Sequence, residues 1–158
     1  MKLILLRHAQ PESSAMTTDE SPGLSLKGKK QQQSTNQFLQ ENGLRPACIY
    51  TSPVRRAVET ANMVSKWFSC PVVVEEALGN NFQEETLIQI LKDESREAIC
   101  FVGHAPTLPD FSQRLVGSSA LPDIGRSSAL VLDVQKEGEE LHCSALLYVT
   151  PDGVTTLS

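Results

Sequence analysis

Short apolar segments alternate with longer amphipathic ones along most of this sequence, and this alternation constrains the fold more than any other feature. Runs rich in valine, isoleucine and leucine have the length and composition of strands, several of them buried on both faces, at 3–6, 47–50, 72–74, 98–102, 129–134 and 144–149. Helical patterns fill most of the gaps. This order predicts an α/β fold, a three-layer α/β/α sandwich with a mostly parallel sheet.

The clearest helical pattern runs from 54 to 68, where apolar residues recur every third or fourth position. Ser52 is its predicted N-cap and Pro53 suits its first position. Further helices are predicted at 25–42 with Ser25 as cap, around 87–91, and after Pro106. The last two strands are separated only by turn-like residues, which predicts an antiparallel hairpin at one edge of the sheet. Residues 11–23 form a predicted long loop after the first strand.

Length and charge narrow the possible functions. With 158 residues, the chain is expected to form a single domain, 1–158. A net charge of -5 disfavours nucleic acid and anionic membranes as partners, so any anion site must be a local group of cations. The apolar start of the chain ends at Arg7 with no cleavage site, and the four cysteines lack metal or redox spacing. A cytoplasmic protein with reduced thiols is expected.

Basic and histidine residues follow three of the predicted strands. Arg7 and His8 come directly after the first strand, Arg55 and Arg56 follow the second, and His104 follows the fourth in a Gly-His-Ala-Pro turn. The carboxyl ends of parallel strands meet at one edge of the sheet, where helix N-termini also point. The sequence therefore predicts an anion pocket that contains a nucleophile.

These motifs resemble those of the histidine phosphatase superfamily, which is phosphoglycerate mutase-like in fold. The matching segments, in order along most of the chain, are Arg7-His8-Ala9, Leu24-Ser25-Leu26-Lys27-Gly28, Ser52-Pro53-Val54-Arg55-Arg56-Ala57-Val58-Glu59-Thr60-Ala61 and Gly103-His104-Ala105-Pro106. The short chain without insertions looks most like the SixA-type phosphohistidine phosphatases. A phosphoglycerate mutase is disfavoured because the chain lacks length for the extra segments that retain a bisphosphate.

The resemblance implies roles for four residues. His8 would be the nucleophile that forms a phosphohistidine intermediate. Arg7 would clamp phosphoryl oxygens with its planar fork, and His104 would donate a hydrogen bond to one of them. The family spacing Ser-Pro-x-x-Arg-Ala selects Arg56 over Arg55 for the phosphate. His142 lies outside every motif, and no metal or other cofactor is implied.

One position departs from the family pattern. Many members that cleave phosphoesters carry a glutamate two residues after a leucine in the loop following the third strand, and Asn80 stands there in this sequence. Asparagine cannot act as a general acid, although one of the glutamates between Glu75 and Glu85 could substitute. An imidazole leaving group, with a pKa of about 6.5, depends on an acid far less than an alkoxide does.

The sequence therefore predicts a metal-independent phosphatase whose substrate is phosphohistidine in a protein, such as a signalling protein. The alternative enzymatic function is a phosphatase that acts on a small phosphoester. A non-catalytic phosphate-binding module is a third alternative, which the complete set of Arg7, His8, Arg56 and His104 disfavours.

Overall fold

The chain folds around one mixed sheet. In the computed structural model, which describes residues 1–13 and 22–157, the strands are β1 (Lys2–Arg7), β2 (Cys48–Thr51), β3 (Val72–Val74), β4 (Ala98–Gly103), β5 (Ala129–Glu137), β6 (Glu140–Thr150) and β7 (Gly153–Thr156). The α-helices in these ranges are α1 (Leu26–Glu41), α2 (Arg55–Phe68), α3 (Glu84–Asp93) and α4 (Thr107–Val116), and a short 3-10 helix spans Glu76–Leu78. The strand order is β3-β2-β4-β1-β5-β6-β7.

Helices cover both faces of the sheet. Successive side chains of β1 point to opposite sides, so Leu3 and Leu5 enter one core and Ile4 and Leu6 enter the other, all fully buried. The first core includes Leu87 and Leu91 of α3 and Leu108 and Phe111 of α4; the second includes Leu39 of α1 and Ala57, Ala61 and Val64 of α2. The three-layer α/β/α sandwich predicted from the sequence is confirmed.

The antiparallel part of the sheet is larger than predicted. The pairs β1–β4, β2–β4 and β2–β3 are parallel, whereas β1–β5, β5–β6 and β6–β7 are antiparallel. The predicted hairpin is therefore present as β5–β6, but β7 lies outside it and forms the edge. The segment of β7, Gly-Val-Thr-Thr, is too short and polar to give a strand signal.

The helix starts differ in how well their caps were predicted. Ser25 caps α1 by accepting a hydrogen bond from the amide of Gly28 at 3.0 Å, as expected. The prediction that Ser52 caps α2 is wrong, because α2 begins at Arg55 and its N-cap is Val54. The hydroxyl of Ser52 instead accepts from the Val54 amide at 3.2 Å and contacts the ring of His104.

The loop after β1 lies close to the start of α1. The predicted loop 11–23 falls partly outside the described residues, but its ends are joined by a bridge between Pro11 and Leu24. A Cβ on Gly28 would collide with the carbonyl oxygen of Gln10, so only glycine allows this approach. The first turn of α1 is thereby held beside the carboxyl end of β1. No helix in the described ranges is both long and apolar enough to span a membrane.

Candidate active site

The carboxyl ends of β1, β2 and β4 form the floor of the candidate site. These strands are adjacent, and their register places Arg7 opposite Gly103 and Thr51 opposite Val102. The backbone amide of His8 donates to the carbonyl of Gly103 at 3.0 Å. The residue that follows each strand is therefore brought to one place, as the parallel arrangement requires.

Two hydrogen bonds define the orientation and tautomer of the His8 ring. Its Nδ1 lies 2.8 Å from the carbonyl oxygen of Ala9, and a carbonyl oxygen can only accept, so Nδ1 carries the proton. Its Nε2 accepts from the Nε of Arg56 at 3.3 Å. The lone pair of Nε2 is therefore directed into the site, and His8 as a residue is only 5% exposed.

Both histidines of the site are uncharged at neutral pH. Burial lowers the pKa of His8 to about 4; the hydrogen bond to Ala9 opposes this shift, and His104, Arg56 and Arg7 add to it. Burial, followed by the charges of Arg56 and Arg7, lowers the pKa of His104 to about 4 as well. A neutral imidazole with its lone pair available is the form needed for nucleophilic attack.

The two neighbouring arginines at the start of α2 have different surroundings. Arg56 points inward and donates to His8, while Arg55 is exposed and pairs with Glu59 one helical turn further on, with an N–O distance of 3.4 Å. Consecutive helical residues are separated by about 100° around the axis, so only one of the two can face the strand ends. The structure thus places the arginine selected by motif spacing next to His8.

His104 follows β4 and lies beside His8, with 5.1 Å between the ring centroids. Its Nε2 is 2.8 Å from the hydroxyl oxygen of the fully buried Ser52. This contact leaves Nδ1 as the ring nitrogen available to another group. Ser52 thus orients His104, and sequence reasoning assigned it only a capping role.

Thr60 of α2 ties the loop after β1 to the helix that carries Arg56. Its hydroxyl accepts from the amide of Ala9 at 2.9 Å and donates to the carbonyl of Arg56 at 2.7 Å. The same side chain thereby fixes the backbone that follows His8 and the backbone of Arg56. Sequence reasoning placed this residue in a motif but assigned it no role, because a threonine inside a helix gives no signal of its own.

Arg7 completes the cationic surroundings of the site. Its Nη1 donates to the carbonyl of Ile124 at 3.2 Å, while its Nε is buried without a hydrogen-bond partner. Burial, and then the positive charge of Arg126, lowers the pKa of Arg7. The approach of Arg126 was not predicted, because it lies in a loop far from the motifs in sequence.

The carboxylates considered as general acids are engaged elsewhere or exposed. Glu75 caps the short 3-10 helix by accepting from the amide of Ala77 at 3.0 Å, and Glu84 pairs with Arg114 at 2.6 Å. Asn80 is exposed next to Gly79, whose position for a Cβ lies 2.9 Å from the ring of Pro53. Within the described residues, neither His8 nor His104 contacts a carboxylate.

His142 lies on β6, exposed, within 3.2 Å of Glu137 and 3.6 Å of Glu140. The structure therefore does not bring it to the strand ends where His8 and His104 meet, in line with the sequence analysis.

Sequence comparison finds the same relationship as the motifs. A 2,3-bisphosphoglycerate-dependent phosphoglycerate mutase of Corynebacterium diphtheriae is 40% identical over 65 residues, which cover 39% of this chain and 26% of the mutase. The corresponding mutase of Corynebacterium glutamicum is likewise 40% identical over 65 residues. The matched segment thus spans about a quarter of the length of these curated relatives.

Solved structures share the fold over nearly the whole chain. The protein histidine phosphatase SixA complexed with tungstate has a TM-score of 0.83 at 17% identity and covers 96% of this chain and 98% of its own. A SixA of Agrobacterium tumefaciens has a TM-score of 0.76 at 22% identity, covering 93% and 95%. A mycobacterial glucosyl-3-phosphoglycerate phosphatase with VO3 has a TM-score of 0.71 at 16% identity, covering 91% and 96%.

A family profile decides the assignment. The profile of the histidine phosphatase superfamily (branch 1) matches residues 3–97, which include Arg7, His8 and Arg56 and end before His104. This match extends over more than half of the chain. The sheet order and the convergence of the motifs at the strand ends agree with it. The chain belongs to the histidine phosphatase superfamily.

Proposed function

We propose that the protein is a phosphatase that works through a phosphohistidine intermediate and removes the phosphoryl group from phosphohistidine in a protein. The observation that carries the proposal is the His8 ring. Its Nδ1–H donates a hydrogen bond to the carbonyl oxygen of Ala9, and its unprotonated Nε2 accepts one from Arg56 in the site. An imidazole held in this tautomer is an in-line nucleophile for phosphorus.

The reaction proceeds in two displacements. The Nε2 lone pair of His8 forms a bond to phosphorus while the bond to the leaving group breaks, and its electron pair stays with the leaving group. Water then attacks phosphorus, the N–P bond breaks with its electrons returning to Nε2, and the protons of water go to the released phosphate. Arg56 contacts Nε2 in the free enzyme, so its guanidinium turns to the phosphoryl oxygens as substrate enters.

Arg7, Arg56 and His104 supply charge stabilisation in both steps. The guanidinium groups match the geometry of phosphoryl oxygens, and they act in a partly buried site where charge-assisted hydrogen bonds are strong. His104, oriented through its Nε2 by Ser52, presents Nδ1 to a third oxygen. No step requires a metal ion, since the arginines neutralise the charge that builds up on the oxygens.

The choice of substrate rests on the leaving group. Asn80 occupies the position of the family's acidic residue, and Glu75 and Glu84 have other partners. A protonated phosphohistidine expels a neutral imidazole, whose conjugate acid has a pKa of about 6.5, so no strong acid is needed. An alkyl phosphate expels an alkoxide of about the basicity of hydroxide and needs one. The fold likeness to SixA, a protein histidine phosphatase, agrees with this choice.

The experiment compares kcat/KM for a phosphohistidine peptide, an aryl phosphate and an alkyl phosphate. We expect the first two to be cleaved far faster than the alkyl ester. Asn80→Glu should raise activity on the alkyl ester selectively, by about tenfold, below the 10²–10⁴ of a well-placed acid. Asn81→Glu, at the neighbouring exposed asparagine, adds the same charge as a matched control.

Equal cleavage of the alkyl ester and the phosphohistidine peptide by the wild type would show that an acid is already present. In that case the substrate would be a small phosphoester, the second enzymatic alternative. Absence of any phosphate release from all three substrates would leave a phosphate-binding module instead.

A further inference from the structure

A second cationic feature lies beside the candidate active site. A depression of about 470 Å³ is lined by Arg7, Gln10, Lys27, Gln31 and Arg126. Its lining contains three cations and two amides and no carboxylate, on a chain whose net charge is -5. We refer to these five residues as the cationic depression.

Within residues 1–13 and 22–157, no carboxylate balances the exposed cations of this depression. In the part of the chain that the structure describes, neither Lys27 nor Arg126 is paired with a carboxylate, and both side chains are exposed. Arg7 and Arg126 are close enough that the charge of Arg126 helps to lower the pKa of Arg7. Positive charges this close together repel each other, and an anion that binds between them reduces the repulsion.

The lining residues come from three separate segments that are fixed relative to one another. Gln10 follows β1, Lys27 and Gln31 lie one turn apart on α1, and Arg126 precedes β5. Ser25 donates to the carbonyl of Gln10 at 3.2 Å, and Gly28 permits the close contact between this loop and α1. The depression is therefore held open by the same contacts that place the loop after His8.

Arg7 connects the depression to the phosphoryl pocket. It immediately precedes His8 and also lines the depression, and its buried Nε has no hydrogen-bond partner. An anionic group in the depression would thus lie next to a phosphoryl group held at His8. The motifs assign roles to Arg7 but give none to Lys27, Gln31 or Arg126.

We propose that the cationic depression binds a carboxylate of the substrate, close to the phosphoryl group that is transferred. The planar guanidinium of Arg126 can donate to both carboxylate oxygens, Lys27 adds a point charge, and the amides of Gln10 and Gln31 supply further donors. The carboxylate has two possible sources, an acidic residue flanking the phosphohistidine of a protein and a small phosphorylated acid. This inference rests on the proposed function, in which the phosphoryl group is bound at His8.

The test uses phosphonates, which cannot be hydrolysed, so it does not depend on turnover. Dissociation constants are measured by amide chemical-shift titration for methylphosphonate, phosphonoacetate and 3-phosphonopropionate. The first fills only the phosphoryl pocket, and the other two add a carboxylate at increasing reach. We expect one of the two carboxylated phosphonates to bind about three- to tenfold more tightly than methylphosphonate. This gain corresponds to two partly exposed ion pairs.

Variants locate the source of that gain. Arg126→Gln and Lys27→Gln should each reduce the preference for the carboxylated phosphonate, and the double variant should abolish it. Lys29→Gln removes one charge from α1 two residues away, on a different side of the helix, and should keep the preference. All of these side chains are exposed, so the folded protein can be compared throughout.

Two matched pairs distinguish the sources of the carboxylate. One pair is a phosphohistidine peptide with glutamate beside the phosphorylated residue and the same peptide with glutamine. The other is a phosphorylated hydroxy acid and its neutral carboxamide. For each pair, the kcat/KM of the carboxylated substrate is divided by that of its neutral counterpart. The pair with the larger ratio identifies the source, and this ratio should fall to one in Arg126→Gln.

Equal binding of all three phosphonates by the wild type would overturn the inference, as would a preference that persists in the double variant. These outcomes are separable from failure of the proposed function. If the wild type releases no phosphate from any substrate, the catalytic proposal fails, while the phosphonate titrations still decide whether the depression binds a carboxylate.

Discussion

The ring of His8 is held in one tautomer and one charge state by its immediate neighbours. The Nδ1–H donates to the carbonyl oxygen of Ala9, Arg56 donates to Nε2, and burial keeps the ring neutral with a pKa of about 4. An exposed imidazole would be partly protonated at neutral pH and would have no fixed tautomer. These contacts therefore prepare the nucleophile before substrate arrives.

This charge state predicts an unusual titration. The ring resonances of His8 and His104 in the folded protein should shift with a midpoint near pH 4, because burial disfavours both imidazolium ions. NMR of histidine-labelled protein measures the midpoints. The same protein unfolded in urea serves as the control, in which the rings should titrate with a midpoint of about 6.5. A midpoint above 6 for both rings in the folded state would contradict the account.

The adjacent arginines allow a matched comparison. Arg56→Ala should reduce kcat/KM by about a hundredfold or more, since loss of one donor to a phosphoryl transition state costs about 2.7–4 kcal/mol. Arg55→Ala removes the same charge from an exposed position that pairs with Glu59, and should have a much smaller effect. Steady-state kinetics on an aryl phosphate gives both values. The reverse ranking would mean that Arg55 contacts the phosphoryl group.

At the scale of elements, the junction between β2 and α2 performs two tasks. Ser52 follows the strand and orients His104, while the first turn of the helix presents Arg56. Thr60, one turn further along α2, fixes the backbone on both sides of the site. The site is therefore supported by hydrogen bonds from one element to two others.

Ser52→Ala should lower kcat by about tenfold with little change in KM, because His104 loses its orienting contact while the arginines still bind substrate. Ser34→Ala, which removes a hydroxyl bonded to the carbonyl of Pro151, is the control for loss of a hydroxyl far from the site. In a His104→Ala background, Ser52→Ala should have no further effect. Additive losses would show that Ser52 acts independently of His104.

Sequence patterns predicted the elements with strong periodicity and missed contacts that form only in three dimensions. The buried strands 3–6 and 98–102 and the apolar face of α2 carry their own signal, because burial on a sheet or helix imposes a fixed period. Strand β7 is too short and polar for this, and the cap assigned to Ser52 failed because its hydroxyl meets His104, 52 residues away. Arg126 lies close to Arg7 because of the path that the chain takes before β5, and no sequence pattern indicates this path.

At the scale of the whole molecule, the two neutral histidines couple folding to pH. In the unfolded chain an imidazole has a pKa of about 6.5, whereas His8 and His104 have pKa values of about 4 in the fold. Between these values the unfolded chain binds more protons, so stability rises with pH in this window. The contribution of the neutral imidazoles to the free energy of unfolding is complete above pH 6.5 and is lost as the pH falls towards 4.

The free energy of unfolding should therefore decrease between pH 6.5 and 4.5, and His8→Asn should flatten this dependence. Urea denaturation at a series of pH values measures both slopes, and the window lies above the ordinary pKa values of exposed carboxylates, about 3.9 to 4.3. An unchanged slope in His8→Asn would show that His8 contributes no pH dependence to folding.

The central claim, covalent catalysis by His8, is tested most directly by trapping the intermediate. The wild type is mixed with phosphorylated substrate, quenched at alkaline pH within one turnover and analysed by mass spectrometry for the site of phosphorylation. We predict acid-labile phosphate on His8 and none in His8→Asn, whose amide can still donate to Ala9 and preserve the fold, as checked by circular dichroism. Phosphate on a different residue, or full turnover by folded His8→Asn, would contradict the account.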